Sequence, residues 1–326
     1  MPTLGLILLL FFFVFILIKS ADLIVAALRR FSKETHTKIF ILSAIFLAVA
    51  TSFPELFVGV SSALEATPHL SLGNVMGANI ANISLVAGLS ALIVGSISVH
   101  GEFIKHEVWV ALLAGILPFI LIIDGALSKN DGILLLFLYL IYALSFFKDR
   151  FLTVTHSQRK EGYIHRFLRD FEHPRVDQHV LKDVGKLILG LSLLIVSADV
   201  IVKIAVKIAS SAGVPIFLVG LFLLSIGTTL PELVFSIKSL RRKESSMFFG
   251  NILGSVIANS TLILGITSII HPINVINVRG SLVAVVAFVI IFSTFWFLIK
   301  RRLNIGRGGA SLLLLLYGIF VVIEFL

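Results

Sequence analysis

Two glutamates lie in the middle of long apolar runs. Glu55 ends Thr51-Ser-Phe-Pro-Glu55, and Glu232 ends Thr228-Thr-Leu-Pro-Glu232. An acidic side chain at the centre of a membrane costs at least about 2.5 kcal/mol, so such residues usually face a protected cavity and serve a function. For one glutamate alone, a capping box at a helix start is a structural alternative. Their occurrence as a matched pair favours a cation site.

Hydroxyl and amide side chains accompany both glutamates. The hydroxyls belong to Thr51, Ser52, Thr228 and Thr229, and the amides, each 27 residues beyond its glutamate, to Asn82 and Asn259. Such oxygens are hard ligands, which suit Na⁺ and Ca²⁺ rather than soft transition metals. Two interpretations of the Asn82 and Asn259 amides stay open: ion ligands, or hydrogen bonds between helices. For Asn74 and Asn251, near helix starts, we favour caps or packing residues.

The two motifs belong to an internal repeat with a constant spacing of 177 residues. Thr51 recurs as Thr228, and Gly73-Asn-Val-Met-Gly77-Ala-Asn-Ile-Ala-Asn82 recurs as Gly250-Asn-Ile-Leu-Gly254-Ser-Val-Ile-Ala-Asn259. Several blocks held at one spacing indicate a tandem duplication.

The elements that must position these residues are membrane helices. Of the 326 residues 58% are apolar, and the mean hydropathy is +1.06, far above what one soluble core needs. Runs of roughly 20 apolar residues can cross a membrane. We place them near 4–28, 39–64, 72–94, 106–124, 131–147, 184–209, 213–238, 247–270, 280–299 and 308–325. The runs are continuous rather than alternating, which predicts helices and not barrel strands.

Each repeat holds five of these runs, so the second copy must enter the membrane from the opposite side. The sequence therefore predicts an all-α membrane protein with ten transmembrane helices in two inverted five-helix repeats, 1–147 and 184–326, joined by a linker at 148–183. This architecture is typical of secondary transporters, which bind substrate at the repeat interface. The proline in each glutamate motif predicts that helices 2 and 7 are broken there, which would free backbone carbonyls as further ligands.

The basic residues predict which way the chain faces. They concentrate in alternate loops, including the linker and the segment Lys238 to Lys243, whereas the opposite loops hold little more than Lys129 and Arg279. The positive-inside rule then places both termini outside the cell membrane and the linker in the cytoplasm. The net charge of +9 is explained by this topology, and no segment resembles a nucleic-acid-binding module.

Composition and the repeat also argue against an intramembrane enzyme and a cation channel. The chain has no cysteine, and its nine histidines fall in loops or near helix ends. An intramembrane enzyme would need a nucleophile or a His or Cys metal site near the glutamates, and none is visible, so we expect no catalytic residues and no cofactor. A cation channel normally repeats identical subunits around a pore and does not need inverted halves. The expected partners are the transported ions and the lipid bilayer, with a monomer as the functional unit.

The repeat motifs resemble the two alpha-repeats of the calcium/cation antiporter superfamily, and most closely those of prokaryotic sodium/calcium exchangers. The resemblance implies Na⁺-driven Ca²⁺ exchange by alternating access, with helices 1 and 6 sliding across the other eight. It implies that Glu55 and Glu232 bind both ions. The further ligands that it implies are Thr51 and Thr228 for both ions, Ser52, Thr229 and Ser255 for Na⁺, the Asn82 and Asn259 pair, and the carbonyls of Ala48 and Ser225.

Two positions depart from the family pattern. Position 259 is Asn where potassium-dependent members and some prokaryotic ones carry Asp, which argues against K⁺ co-transport but not against Na⁺/Ca²⁺ exchange. Position 78 is Ala where a hydroxyl is usual, so one sodium site lacks a ligand that Ser255 supplies in the other repeat. The nearest alternative is an antiporter that couples protons to Ca²⁺ or another divalent cation. Its motifs usually read Gly-Asn before the glutamate, whereas this chain has Thr-Ser and Thr-Thr.

Overall fold

The computed structural model describes residues 3–34, 51–98, 102–154, 178–274, 278–302 and 304–326. Helices account for nearly all of this part of the chain. The first half contains α1 (Thr3–Glu34), α2 (Phe53–Leu64), α3 (Pro68–Val94), α4 (Glu102–Leu121) and α5 (Lys129–Val154). The second half contains α6 (Gln178–Ala212), α7 (Ile216–Arg241), α8 (Ser245–Ile270), α9 (Val278–Arg302) and α10 (Arg307–Glu324).

These helices agree with the apolar runs in the sequence. Within the described residues, seven helices are long and apolar enough to cross a membrane, namely α3, α4, α6, α7, α8, α9 and α10. Shorter apolar stretches occupy Leu4–Ser20 of α1 and the whole of α2. The predicted start of the second run, residues 39–50, lies outside the described residues. The all-helical membrane fold is thus confirmed.

Two short antiparallel ribbons join the halves of the chain. Strand β1 (Ser96–Ser98) pairs with β4 (Asn304–Gly306), with Ile97 opposite Ile305. Strand β2 (Ala126–Leu127) pairs with β3 (Ile273–Asn274), with Leu127 opposite Ile273. Each ribbon takes one strand from each half, and the repeat spacing of 177 residues relates β1 to β3 and β2 to β4 to within about one residue.

The apolar interior consists of two separate clusters. The larger one fills the space among α3, α4, α8, α9 and α10, with Ile83, Val256 and Phe292 among its buried members. The smaller one lies between α1 and α6 and the faces of α2, α3 and α7 that turn toward them, and it includes Leu10 and Val202. Helices α1 and α6 are in extensive contact with each other. They therefore form a pair with its own apolar interface.

Helices α3 and α7 approach each other at backbone distance. A Cβ added at Gly73 would overlap the carbonyl oxygen of Phe217, and one added at Gly77 would overlap that of Leu221. Only glycine permits this contact, as is common where membrane helices cross closely. The close approach brings the asparagines of α3 next to the middle of α7.

Candidate functional site

Glu55 lies in the first turn of α2. The helix begins at Phe53 with Ser52 as its N-cap residue and Pro54 in the first turn, as the sequence predicts. The Ser52 hydroxyl makes no capping bond, however, and it is buried without a hydrogen-bond partner. Glu55 is fully buried, and neither of its carboxylate oxygens has a hydrogen-bond partner among the residues that the structure describes. The structure therefore does not form the capping box that was the structural alternative for this glutamate.

Glu232 occupies the equivalent position in α7, but the predicted break of this helix is only a local irregularity. A π-helical turn covers Val219–Leu224, and the helix is then interrupted at Thr229 alone. Thr229 keeps φ −83° and ψ 0°, and its N–H donates to the carbonyl of Ser225 at 3.0 Å. The chain can therefore continue as a helix on both sides of this residue.

The expected release of the Ser225 carbonyl is also not seen. Besides the Thr229 N–H, this carbonyl accepts a hydrogen bond from the Thr229 hydroxyl at 2.9 Å, and the Thr228 hydroxyl oxygen lies 3.4 Å from it. Pro231 has no N–H, so the helical donor that is missing is the one for Gly227, four residues earlier. The Ser225 carbonyl would have to exchange these donors before it could bind an ion. Its counterpart, Ala48, lies outside the described residues.

Asn82 and Asn259 each lie in a π-helical turn. The turn in α3 covers Asn82–Val86, and the turn in α8 covers Ala258–Ile263. Such turns insert an extra residue into a helix and often occur at functional sites. The turn of α3 packs against the Glu232 segment of α7, and the turn of α8 packs against α2. Each asparagine turn therefore contacts the glutamate helix of the other repeat.

The two carboxylates lie close to each other. The Thr228 side chain lies beside Glu55, and the Thr51 side chain lies beside Glu232. The described residues contain no group of three or more His, Cys, Asp or Glu side chains that could hold a metal ion. Neutral oxygens would therefore have to complete the coordination of a cation between the carboxylates.

Buried oxygens without partners are concentrated in this region. Within the described residues, the predicted ligands with such oxygens are Ser52, Glu55, Asn82, Glu232, Ser255 and Asn259. A buried polar atom normally has a hydrogen-bond partner, and the exceptions need an explanation. Binding of a hard cation would satisfy them, because all these atoms are carboxylate, amide or hydroxyl oxygens. Ala78, the counterpart of Ser255, is fully buried and offers no side-chain oxygen.

Two hydrogen bonds between the repeats assign a role to residues that the sequence suggested were caps or packing. The Thr51 hydroxyl donates to Asn251 Oδ1 at 3.1 Å, and the Thr228 hydroxyl donates to Asn74 Oδ1 at 3.3 Å. The two bonds are equivalent under the 177-residue repeat. Each asparagine accepts the hydroxyl proton of a predicted ligand and thereby orients the threonine oxygen. In the sequence, the one sign of this role is that each asparagine directly follows a glycine that recurs in the other repeat.

Comparisons with known proteins point to one family. A family model described as sodium/calcium exchanger protein matches residues 5–148 and 182–326. The chain is 25% identical to the sodium/calcium exchanger MaX1 of Methanosarcina acetivorans over 95% of both chains. It is 31% identical to the putative antiporter CaxA of Alkalimonas amylolytica over 79% of this chain and 78% of that one. A solved structure of the sodium-calcium exchanger NCX_Mj superposes with a TM-score of 0.63 at 28% identity, over 99% of this chain and 98% of that one.

Proposed function

Because the chain belongs to the sodium/calcium exchanger family, we propose that it is a secondary active antiporter that exchanges Na⁺ for Ca²⁺ across the cell membrane. Members of this family are transporters rather than catalytic enzymes. The observation that carries the proposal is the pair of buried carboxylates, Glu55 and Glu232, surrounded by buried oxygens that have no hydrogen-bond partner.

The paired charges explain how exchange is coupled. Ca²⁺ needs both carboxylates, whereas Na⁺ ions can share them together with the neutral oxygens of residues such as Ser52 and Ser255. The two ions therefore compete for the same glutamates. Two bare carboxylates at low dielectric repel each other and lack solvation, so movement of the empty site across the membrane is unfavourable. An ion must bind before the site changes sides, which makes transport an exchange.

The strand pairs support an architecture of ten crossings in two inverted repeats. Segments that pair outside the membrane must be separated by an even number of crossings. Under the proposed topology, six crossings separate β1 from β4 and four separate β2 from β3. The division into repeats at 1–147 and 184–326 with a linker at 148–183 is further supported by the family match, which leaves out residues between 148 and 182.

Alternating access would move α1 and α6 together relative to the other helices. Their shared interface belongs to an apolar cluster separate from the main one. Helix α1 lies directly over the site, because a Cβ added at Gly227, next to Thr228, would lie 2.8 Å from Val14 Cγ1. Because a contact between aliphatic side chains and a glycine involves no polar bonds, the two helices can slide along the others without breaking any.

The proposed topology places both termini outside and the linker in the cytoplasm. The chain contains no cysteine, so single cysteines can be introduced without removing others. Arg242→Cys should be protected from a membrane-impermeant thiol reagent added outside intact cells, and Asn130→Cys should be labelled. Both positions are exposed, so the opposite labelling pattern would overturn the topology.

Flux measurements test the driving ion. Purified protein in proteoliposomes should accumulate ⁴⁵Ca²⁺ when an outward Na⁺ gradient is imposed, and should not do so with a pH gradient alone. Uptake driven only by the pH gradient would support the H⁺/Ca²⁺ alternative and contradict Na⁺ coupling. Replacement of Ca²⁺ by other divalent cations in the same assay determines the substrate range.

A further inference from the structure

A network of polar side chains holds one of the two asparagines that are predicted ligands, Asn259, but not the other. Asn79, on α3, is buried and bonds two consecutive residues of the π-helical turn in α8. The Nδ2 group of Asn259 donates to Asn79 Oδ1 at 3.2 Å. The Nδ2 group of Asn79 donates to Ser260 Oγ at 2.7 Å. Asn259 is thereby linked to Ser260 through a side chain of the other repeat.

The direction of these hydrogen bonds determines which atom of the Asn259 amide remains for a ligand. Its Nδ2 is used by Asn79, whereas its Oδ1 is buried without a partner in the described chain. An amide has a donor end and an acceptor end, so occupying the donor leaves only the carbonyl oxygen for a ligand. A carbonyl oxygen attracts a cation, whereas an N–H in its place would repel one.

The same network does not exist in the first repeat. The counterparts of Asn79 and Ser260, which are Val256 and Ile83, carry no polar side-chain atom. Accordingly, both the Nδ2 and the Oδ1 of Asn82 are buried without a hydrogen-bond partner in the described part of the chain. The two asparagines are equivalent in sequence but not in how they are held.

We infer that Asn79 and Ser260 are positioning residues that hold Asn259 with its carbonyl oxygen toward the bound cation. The inference rests on the proposed function, because it assumes that the site binds cations. Loss of Asn79 would leave the Asn259 amide free to turn. Loss of the Ser260 hydroxyl would leave the Asn79 N–H without its acceptor, which favours the reversed network, in which Asn259 directs its Nδ2 toward the site.

The test is Ca²⁺ binding to purified protein, measured by isothermal titration. Asn79→Val introduces the residue that the second repeat carries at 256, and Ser260→Ala is the milder variant should the first fold poorly. Thr261→Val is the matched control, because Thr261 is also buried in the turn but its hydroxyl bonds only the Ile257 carbonyl of its own helix, at 2.6 Å. We expect Asn79→Val and Ser260→Ala each to weaken binding about fivefold and Thr261→Val to leave it within about twofold.

A double-mutant cycle separates positioning from general damage. If Asn79 acts through Asn259, Asn79→Val should have no further effect once Asn259→Ala is present. Equal losses with and without the Asn259→Ala substitution, unchanged binding in the two network variants, or an equal loss in Thr261→Val would overturn the inference. Ca²⁺ binding by the wild type without Na⁺-driven flux would instead contradict the proposed function, and the cycle would still decide the role of Asn79.

Discussion

The two π-helical turns that carry Asn82 and Asn259 are related by the same sequence repeat and the same backbone irregularity. They differ in the side chains around them. Asn259 is held by Asn79 and has a serine, Ser255, on the preceding turn, whereas Asn82 has no amide partner and follows Ala78. We call these the second-repeat flank and the first-repeat flank of the site.

The difference shows that a duplicated backbone does not require duplicated chemistry. The glutamates and the threonine-asparagine bonds are the same in both halves, so the charge that a divalent cation needs is supplied symmetrically. The neutral ligands are not. A ligand held in place loses little entropy on binding, whereas a free amide must be ordered by the ion. We therefore expect the second-repeat flank to bind a cation more tightly. The Asn82 amide of the first-repeat flank should instead reorient when a cation binds.

The largest effect on Ca²⁺ exchange should come from the glutamates, which both halves share. Glu55→Gln or Glu232→Gln should each lower Ca²⁺ exchange in proteoliposomes at least about a hundredfold, because one charge of a buried pair is removed. The control is Glu65→Gln, since Glu65 is exposed and pairs with Lys203 at 3.5 Å. Near-normal flux in either buried variant would refute the shared site.

A carboxylate introduced on each flank should affect Ca²⁺ binding unequally. Asn259→Asp should tighten Ca²⁺ binding about tenfold and slow turnover, because Asn79 can reverse and donate to the new carboxylate. Asn82→Asp should have a smaller effect, since a buried carboxylate without a donor takes up a proton more readily. Titrations of Ca²⁺ together with flux measurements would test this, and equal shifts in the two variants would mean that the flanks are alike.

The hydrogen bonds between the repeats should behave symmetrically. Asn74→Leu and Asn251→Leu each remove the acceptor that orients a threonine hydroxyl. We expect both to weaken Ca²⁺ binding by a similar factor, about fivefold. Titration calorimetry on the two variants measures that factor. A loss confined to one of them would show that the asymmetry extends to the glutamate helices themselves.

The smallest effect concerns the hydroxyl that Ala78 lacks. Ala78→Ser should raise apparent Na⁺ affinity about twofold, with little effect on Ca²⁺, and Ser255→Ala should lower it, because Na⁺ depends on a small set of neutral oxygens unless water replaces one. The measurement is Ca²⁺ flux over a range of Na⁺ concentrations. Superimposable sodium curves for the wild type and both variants would exclude these positions as Na⁺ contacts.

Much of this arrangement can be read from the sequence. Apolar runs locate the helices, the repeat pairs Glu55 with Glu232, and the Ser52-Phe-Pro-Glu55 pattern correctly marks the start of α2. These features depend on local composition and spacing. The predicted ligand roles stay predictions, although six of those residues have buried oxygens without partners.

What the sequence did not reveal depends on contacts between distant segments. The bond of Asn74 to Thr228 forms only once α3 and α7 meet at their glycines, and the bond of Asn251 to Thr51 forms only once α8 packs against the Glu55 motif. Likewise, nothing local distinguishes Asn79 from a packing residue. The sequence indicated that helix 7 is interrupted at its proline motif, but it did not reveal that the interruption is confined to Thr229, whose N–H and hydroxyl both bond the Ser225 carbonyl. Proline position alone does not show how far a helix opens.

The central claim is that Na⁺ and Ca²⁺ compete for one site between Glu55 and Glu232. Equilibrium ⁴⁵Ca²⁺ binding to purified protein at increasing Na⁺ concentrations tests it directly, with choline as the ionic-strength control. We predict that Na⁺ displaces Ca²⁺ competitively and with positive cooperativity, and that Glu55→Gln and Glu232→Gln each abolish the Na⁺-sensitive binding. Ca²⁺ binding that is indifferent to Na⁺, or that persists in both variants, would contradict the account.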